Sequence, residues 1–226
     1  MHLSADGVPV VIHDETVERT TDGRGTVAAL SLSALRRLDA GSWFGPRFRG
    51  ERIPTLDETL DWARGRVGLN VELKGGTPAR GERRPARGAG ARSPSSGPAT
   101  ALGEGPEALA RAVARSLRRG RFRGLLIVSS FEARALILAR AAMPRVRLGY
   151  LASRSTRELP PLQRSIGLFA FHPHHRIATA ERIQAAHRRG LAVFVWPVNH
   201  LGLMRRLLRR GADGLMTDDP ALFARL

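Results

Sequence analysis

The chain has no cysteine among its 226 residues, so a disulfide framework and a thiolate metal site are both excluded. The same absence leaves the redox compartment open. Lysine is almost missing too: of 37 basic residues, Lys74 is the single lysine and the rest are arginine. No apolar run comes near the ~20 residues that a membrane-spanning helix needs, and the first residues lack the basic-then-apolar pattern of a signal peptide. As it stands, the chain reads as cytoplasmic. Acidic residues are few against basic ones, which gives a formal net charge of +17. Such an excess invites a nucleic-acid partner. The arginines, however, are scattered over helix faces and loops, and dispersed charge speaks to solubility and nonspecific attraction. Nucleic acid is therefore not the expected partner. One interior stretch lacks large apolar side chains altogether: between Gly76 and Ala101 there is no Leu, Ile, Val, Phe, Tyr or Trp. Nothing there offsets the entropy of ordering the chain, so residues 75–105 are expected to form a disordered insertion in a single domain spanning 1–226.

What is present begins with Asp6-Gly7-Val8-Pro9-Val10-Val11-Ile12-His13-Asp14. An Asp-Gly turn feeding a β-rich run predicts a hairpin, and a two-residue loop pairs Leu3 with Val10 and His2 with Val11. Alternation puts Val8, Val10 and Ile12 on one face and Pro9, Val11 and His13 on the other. In that register the partner of His13 is the residue before Met1. Ser31 caps a short helix with Leu32, Leu35 and Leu38 on one stripe, and Thr55 caps another that carries Leu60 and Trp62 inward. Between them lie Trp43, Phe44 and Phe48, either a satellite cluster pinning the loop or part of a substrate-lining wall. Strands at 69–74, 124–130, 146–151, 167–171, 192–196 and 214–217 then alternate with helices at 106–119, 131–142, 178–189 and 201–210. The proline-rich stretch 152–165 is not expected to be helical throughout. Alternation with short loops means a parallel α/β sheet with helices outside. The count fits a (β/α)8 TIM barrel lacking its first strand and helix and most of its second strand. A doubly wound sheet calls for a Gly-rich phosphate loop after an early strand, and the sequence has none.

Side chains at the carboxyl ends of barrel strands converge on one face. Glu72 and Lys74, two apart in one strand, point together into the barrel mouth, and Trp196 ends another strand on that face. The pair is either a self-neutralising buried ion pair or a carboxylate for a divalent cation beside an ammonium for phosphate. With thiolates excluded, such a site suits Mg2+ or Ca2+. His13 at a strand end is either a hydrogen-bonded structural histidine or a group that moves protons. Trp196 either stacks on a ligand or fills the barrel mouth. His172, His174 and His175 end another strand, where the intervening proline predicts a solvent-facing loop rather than a metal cluster. His187 reads as a surface residue near a helix end.

The segment from Gly7 to Gly25 closely resembles the one that follows the second barrel strand of glycerophosphodiester phosphodiesterases. Matching blocks follow in order at Ala40-Gly41-Ser42-Trp43-Phe44, Ile53-Pro54-Thr55-Leu56, Asn70-Val71-Glu72-Leu73-Lys74, Ser129-Ser130-Phe131, Val195-Trp196-Pro197-Val198-Asn199 and the stretch from Gly211 to Pro220. The resemblance implies a metal-dependent hydrolase that releases glycerol 3-phosphate and an alcohol from a small-molecule glycerophosphodiester. By motif, His13 matches one of the family's two catalytic histidines and Glu72 a glutamate that holds the cation, Mg2+ or Ca2+. Lys74 and Trp196 fall to substrate binding. Pro197 stands where the family usually has threonine. The second histidine, in a His-Arg-Gly segment, and an acidic Glu-x-Asp pair belong before the position of Met1. Activity of these 226 residues is therefore expected to be compromised, and the reading frame is expected to continue upstream for roughly 35 to 50 residues. Two other readings stay open: a noncatalytic phosphate-binding remnant, and a basic interaction protein that meets nucleic acid or a membrane surface. The pattern is silent on oligomeric state.

Overall fold

Strand β1 (His2–Leu3) pairs antiparallel with β2 (Pro9–Val10) in a computed structural model that describes residues 1–74, 105–120 and 122–226. The expected insertion, apart from Gly105, lies outside the described residues. The hairpin register is His2 opposite Val10 and Leu3 opposite Pro9, one residue away from the expected pairing. The cause is a three-residue loop in place of two. Ser4 and Val8 close it, with the Ser4 amide donating to the Val8 carbonyl at 3.0 Å and the Val8 amide to Ser4 Oγ at 3.0 Å. Asp6 Oδ1 accepts from Ser4 Oγ at 2.6 Å and from the Leu32 amide at 2.8 Å. Gly7, with φ of 75°, takes the left-handed position that such a loop requires. The chain then leaves β1 and runs beside 53–55: Val10 bridges Thr55, and the Val11 amide donates to the Pro54 carbonyl at 2.8 Å.

Helix α1 (Leu32–Leu35) is capped by Ser31, whose Oγ accepts from the Ala34 amide. Helix α2 (Leu56–Ala63) opens on a full capping box between Thr55 and Glu58. Val10, Ile12, Val17, Val27, Leu35 and Ile53 close a small aliphatic core under this arm. Trp62 does not turn inward as expected and is 59% exposed. Leu56, Leu60 and Ala63 already form the buried stripe of α2, and a residue two positions from Leu60 sits on the opposite face of a 3.6-residue turn.

The large sheet consists of β3 (Leu69–Glu72), β4 (Leu126–Ser130), β5 (Arg147–Ala152), β6 (Ala170–Pro173), β7 (Ala192–Val195) and β8 (Gly214–Leu215). Every pairing is parallel and the order is strictly sequential from β3 to β8. Sequential order belongs to a curling β/α barrel, because a doubly wound sheet reverses its order at a switch point. Between the strands lie α3 (Pro106–Gly120), α4 (Ala133–Ala142), α5 (Leu159–Ile166), α6 (Ala180–His187) and α7 (Leu201–Arg209). Helix α5 falls in the proline-rich stretch. Its two prolines occupy the first turn, where the missing N–H groups have no intrahelical partner to lose.

Alternation along the strands sorts the side chains. Val71, Leu73, Val128, Leu148, Tyr150, Phe171, Val193 and Val195 are buried in one large core with residues of the helices, Leu109, Leu136, Ile183 and Met204 among them. The residues in between, Glu72, Ser129, Gly149, His172, Phe194 and Trp196, belong to the other, inward face. Met1 extends this sheet at the free edge of β3: its amine donates to the Glu72 carbonyl at 2.8 Å and its carbonyl accepts from the Lys74 amide at 3.2 Å. That is the bonding pattern of a parallel neighbour. Burial lowers the pKa of this amine to about 5. No described helix is long and apolar enough to cross a membrane.

Candidate active site

The inward face meets the N-terminal arm at Lys74. Its Nζ lies 2.7 Å from Glu72 Oε1, a close ionic contact that is not aligned as a hydrogen bond. It also donates to His13 Nε2 at 3.1 Å. Glu72 and Lys74 are held by the strand ladder, since Glu72 sits opposite Ser129 and the Leu73 amide donates to the Ser129 carbonyl at 2.8 Å. His13 is held differently, at the end of the extended run that leaves β2. The His2 ring Nε2 donates to the His13 carbonyl at 3.2 Å. Burial first, and then the Met1 amine, lower the His2 pKa to about 4, so that ring is neutral.

The contact with Lys74 fixes the tautomer of His13. An ammonium carries only donors, so Nε2 must offer its lone pair, and the ring proton sits on Nδ1. His13 Nδ1 accordingly donates to Asp14 Oδ1 at 2.6 Å. Asp14 is in turn gripped through both oxygens by Arg19, with Nε at 2.5 Å and Nη2 at 3.0 Å. The Arg19 guanidinium holds the Asp14 carboxyl down to about 2. A line of contacts thus runs Arg19, Asp14, His13, Lys74, Glu72, with an imidazole lone pair and an ammonium side by side. That pairing suits proton transfer beside a bound anion. Asp14 and Arg19 were not anticipated as site residues. Their signal was a carboxylate next to the strand-end histidine with an arginine five residues on in the same loop.

Trp196 follows β7, and its indole donates to the His172 carbonyl at 2.8 Å. Phe131 meets it edge-on at a centroid distance of 5.2 Å and His174 at 5.0 Å. These contacts place Trp196 at the strand ends. Pro197 keeps a useful carbonyl, which accepts from His175 Nδ1 at 2.8 Å. His187 ends α6 and contacts Asp213 Oδ2 at 2.9 Å, as a surface residue.

His172 corrects the expectation of a solvent-facing loop. It is fully buried within β6, and neither ring nitrogen has a hydrogen-bond partner among the described residues. Burial lowers its pKa to about 4. The ring fits because β5 carries Gly149 beside it: a Cβ there would stand 2.7 Å from His172 Nε2. Phe194 meets the same ring edge-on at 5.5 Å. Ser129 Oγ, buried on this face, also has no partner among the described residues.

For the implied divalent cation the donor set is short. Among the described residues no group of three or more His, Asp or Glu side chains converges. Glu72 is a single carboxylate already faced by Lys74, whereas Ca2+ and Mg2+ take six or more oxygens, only some of them from water. The described residues do not by themselves fit such an ion.

Residues 1–86 and 98–222 match the Glycerophosphoryl diester phosphodiesterase family model. The unmatched interior, 87–97, falls inside the Gly-, Pro- and Arg-rich interruption. A glycerophosphodiester phosphodiesterase of Caldanaerobacter subterraneus subsp. tengcongensis is 30% identical over 221 residues, spanning 97% of this chain and 80% of the relative. A putative glycerophosphodiester phosphodiesterase of Bacillus subtilis is 31% identical over 224 residues, spanning 97% of this chain and 81% of the relative. In fold, the chain is similar to an Oleispira antarctica phosphodiesterase solved in complex with the product sn-glycerol-3-phosphate. The TM-score is 0.79 at 28% identity, over 98% of this chain and 81% of that one. A sequentially ordered parallel sheet, a strand-end Glu72-Leu73-Lys74 joined to His13, and a family match along nearly the whole length agree: the chain belongs to the glycerophosphoryl diester phosphodiesterase family.

Proposed function

We propose that the chain hydrolyses small glycerophosphodiesters to glycerol 3-phosphate and an alcohol where Lys74 meets His13. The observation that carries this reading is the position of Lys74 Nζ, 3.1 Å from His13 Nε2 and 2.7 Å from Glu72 Oε1, which joins the end of β3 to a group sixty-one positions away in the N-terminal arm. Phosphodiester cleavage needs neutralised phosphoryl oxygens and a group that moves protons to and from the reacting oxygens. Lys74 supplies the positive charge. The Nε2 lone pair of His13 takes a proton from the attacking oxygen or, once protonated, returns one to the leaving alkoxide. Asp14, locked by Arg19, holds the Nδ1 proton in place, so that Nε2 is the nitrogen that takes the proton and gives it back. Trp196 is proposed to stack on the glycerol or the leaving alcohol.

Glu72 is proposed as this chain's one carboxylate contribution to a Mg2+ or Ca2+ site, which the described residues alone do not complete. With one histidine at the point of proton transfer, turnover is expected to be low. A noncatalytic phosphate-binding role is the rival reading, favoured by the way Lys74 occupies Glu72, the carboxylate a divalent cation would need. Incubation with a water-soluble glycerophosphodiester, followed by assay of glycerol 3-phosphate, separates the two. Turnover that His13→Ala abolishes supports hydrolysis; binding of glycerol 3-phosphate without turnover of the diester refutes it.

A further inference from the structure

The loop at 41–50 turns Trp43 and Phe44 to water and leaves Phe48 half-buried, although the aliphatic core of Val10, Ile12 and Leu35 belongs to the same arm. Trp43 is 53% exposed and Phe44 67%. A slack loop does not explain this exposure. The Asp39 carboxylate accepts from the amides of Gly41, Ser42 and Gly50 at 2.8, 2.9 and 3.0 Å and from the Ser42 hydroxyl at 2.7 Å. The Trp43 indole donates to the Ala40 carbonyl at 2.9 Å. The rings meet edge to face, Trp43 with Phe44 at 5.6 Å and Phe44 with Phe48 at 5.2 Å. Guanidinium groups rim them: Arg19 lies 6.0 Å from the Trp43 ring and Arg47 4.6 Å from the Phe48 ring. Arg49 and Arg52 are exposed on the same stretch, with Glu51 between them.

We propose that this loop is a docking tip for anionic phospholipid bilayers. Trp and Phe settle at the boundary between headgroups and acyl chains, and arginine pairs with the phosphates there. A chain of net charge +17 is drawn to an anionic surface from a distance. Two rings at a loop tip are far too little for a protein interface, which buries roughly 1,200–2,000 Å². They are enough for a wedge that works together with charge. Duplex nucleic acid would use the arginines and leave Phe44 without a role. The tip is also coupled to the candidate active site, because Arg19 under Trp43 is the group that grips Asp14. Vesicle binding does not depend on the hydrolase reading, so either can fail alone.

The test is co-sedimentation of the full chain with vesicles of phosphatidylcholine, alone or mixed with phosphatidylglycerol. Binding is expected to the mixed vesicles and to fall about tenfold or more in the Trp43→Ala/Phe44→Ala double variant, with an unchanged thermal melt. If that variant fails to fold, tryptophan emission decides. A vesicle-induced blue shift in a Trp62→Phe chain that disappears on adding Trp43→Phe supports docking, and the lack of a shift overturns it. Failure of the parent to bind mixed vesicles, equal binding by parent and double variant, or a loss confined to duplex DNA binding would each overturn the proposal.

Discussion

Protonation of His172 should destabilise this protein in mild acid. The imidazole is buried without a hydrogen-bond partner among the described residues, and burial lowers its pKa from 6.5 to about 4. In the unfolded chain it returns to about 6.5. Between those values the unfolded state binds the proton and the folded state does not, so stability falls as pH drops from about 6.5 and levels off below about 4. Two to three units at 1.36 kcal/mol each give about 3 kcal/mol over that window, a large share of the 5–15 kcal/mol typical of a domain. His2 shifts in the same direction, so the parent alone does not isolate the effect. Urea unfolding at pH 7 and pH 4 for the parent and for His172→Leu does. The stability lost between the two pH values should be smaller in the variant by about 3 kcal/mol. An NMR titration of the parent reads the ring directly. Parallel stability curves for the two chains, or a His172 resonance that titrates near 6.5, would refute the argument from burial.

The remaining expectations concern the site. His13→Ala should remove most turnover, and Asp14→Asn should lower kcat by roughly 10- to 100-fold with KM little changed, because the amide no longer holds the tautomer; steady-state kinetics on a soluble diester decide, and a pure KM effect for Asp14→Asn would contradict the role. Lys74→Arg should not restore glycerol 3-phosphate binding lost in Lys74→Ala, since a planar guanidinium does not fit where a compact ammonium touches both Glu72 and His13; calorimetry would show this. Titration of the 226-residue chain with Ca2+ should give a Kd of about 1 mM or weaker, and submicromolar binding would show that the donor set is larger than described. Gly149→Ala should destabilise by about 1–3 kcal/mol, as the new methyl would stand 2.7 Å from His172 Nε2; an unchanged urea midpoint would count against it.

Periodicity carried most of the fold. Each strand expected from residue 69 onward is present within a few residues, and their sequential parallel order follows from the alternation with helices. The failures share a cause, which is that local pattern does not say which face wins. Trp62 is apolar and helical, but Leu56, Leu60 and Ala63 had already claimed the inward stripe. His172 reads as loop material beside two more histidines and a proline, whereas strand alternation from Ala170 carries it inward onto the space that Gly149 leaves. The glycine and the histidine are on different strands, so their fit is invisible until β5 and β6 are in register.

The position of His13 shows the same limit most clearly. The Asp6-Gly7 signal correctly announced a hairpin, and strand alternation placed Val10 and Ile12 on one face, which is buried, and Val11 and His13 on the other, which is exposed there although Pro9 on the same face is buried. Turn chemistry alone gave the wrong register, because the Ser4 hydroxyl and Asp6 carboxylate bond across a wider loop. The arm then abandons β1 for the stretch before α2, and this nonlocal pairing sets where the chain emerges. Lys74, sixty-one positions away and just beyond β3, then completes the site through one contact at 3.1 Å. Motif reading pairs Glu72 with Lys74 and finds His13 apart from them. The chemistry resides in the Nε2 lone pair facing the ammonium, and that depends on where two backbone segments end.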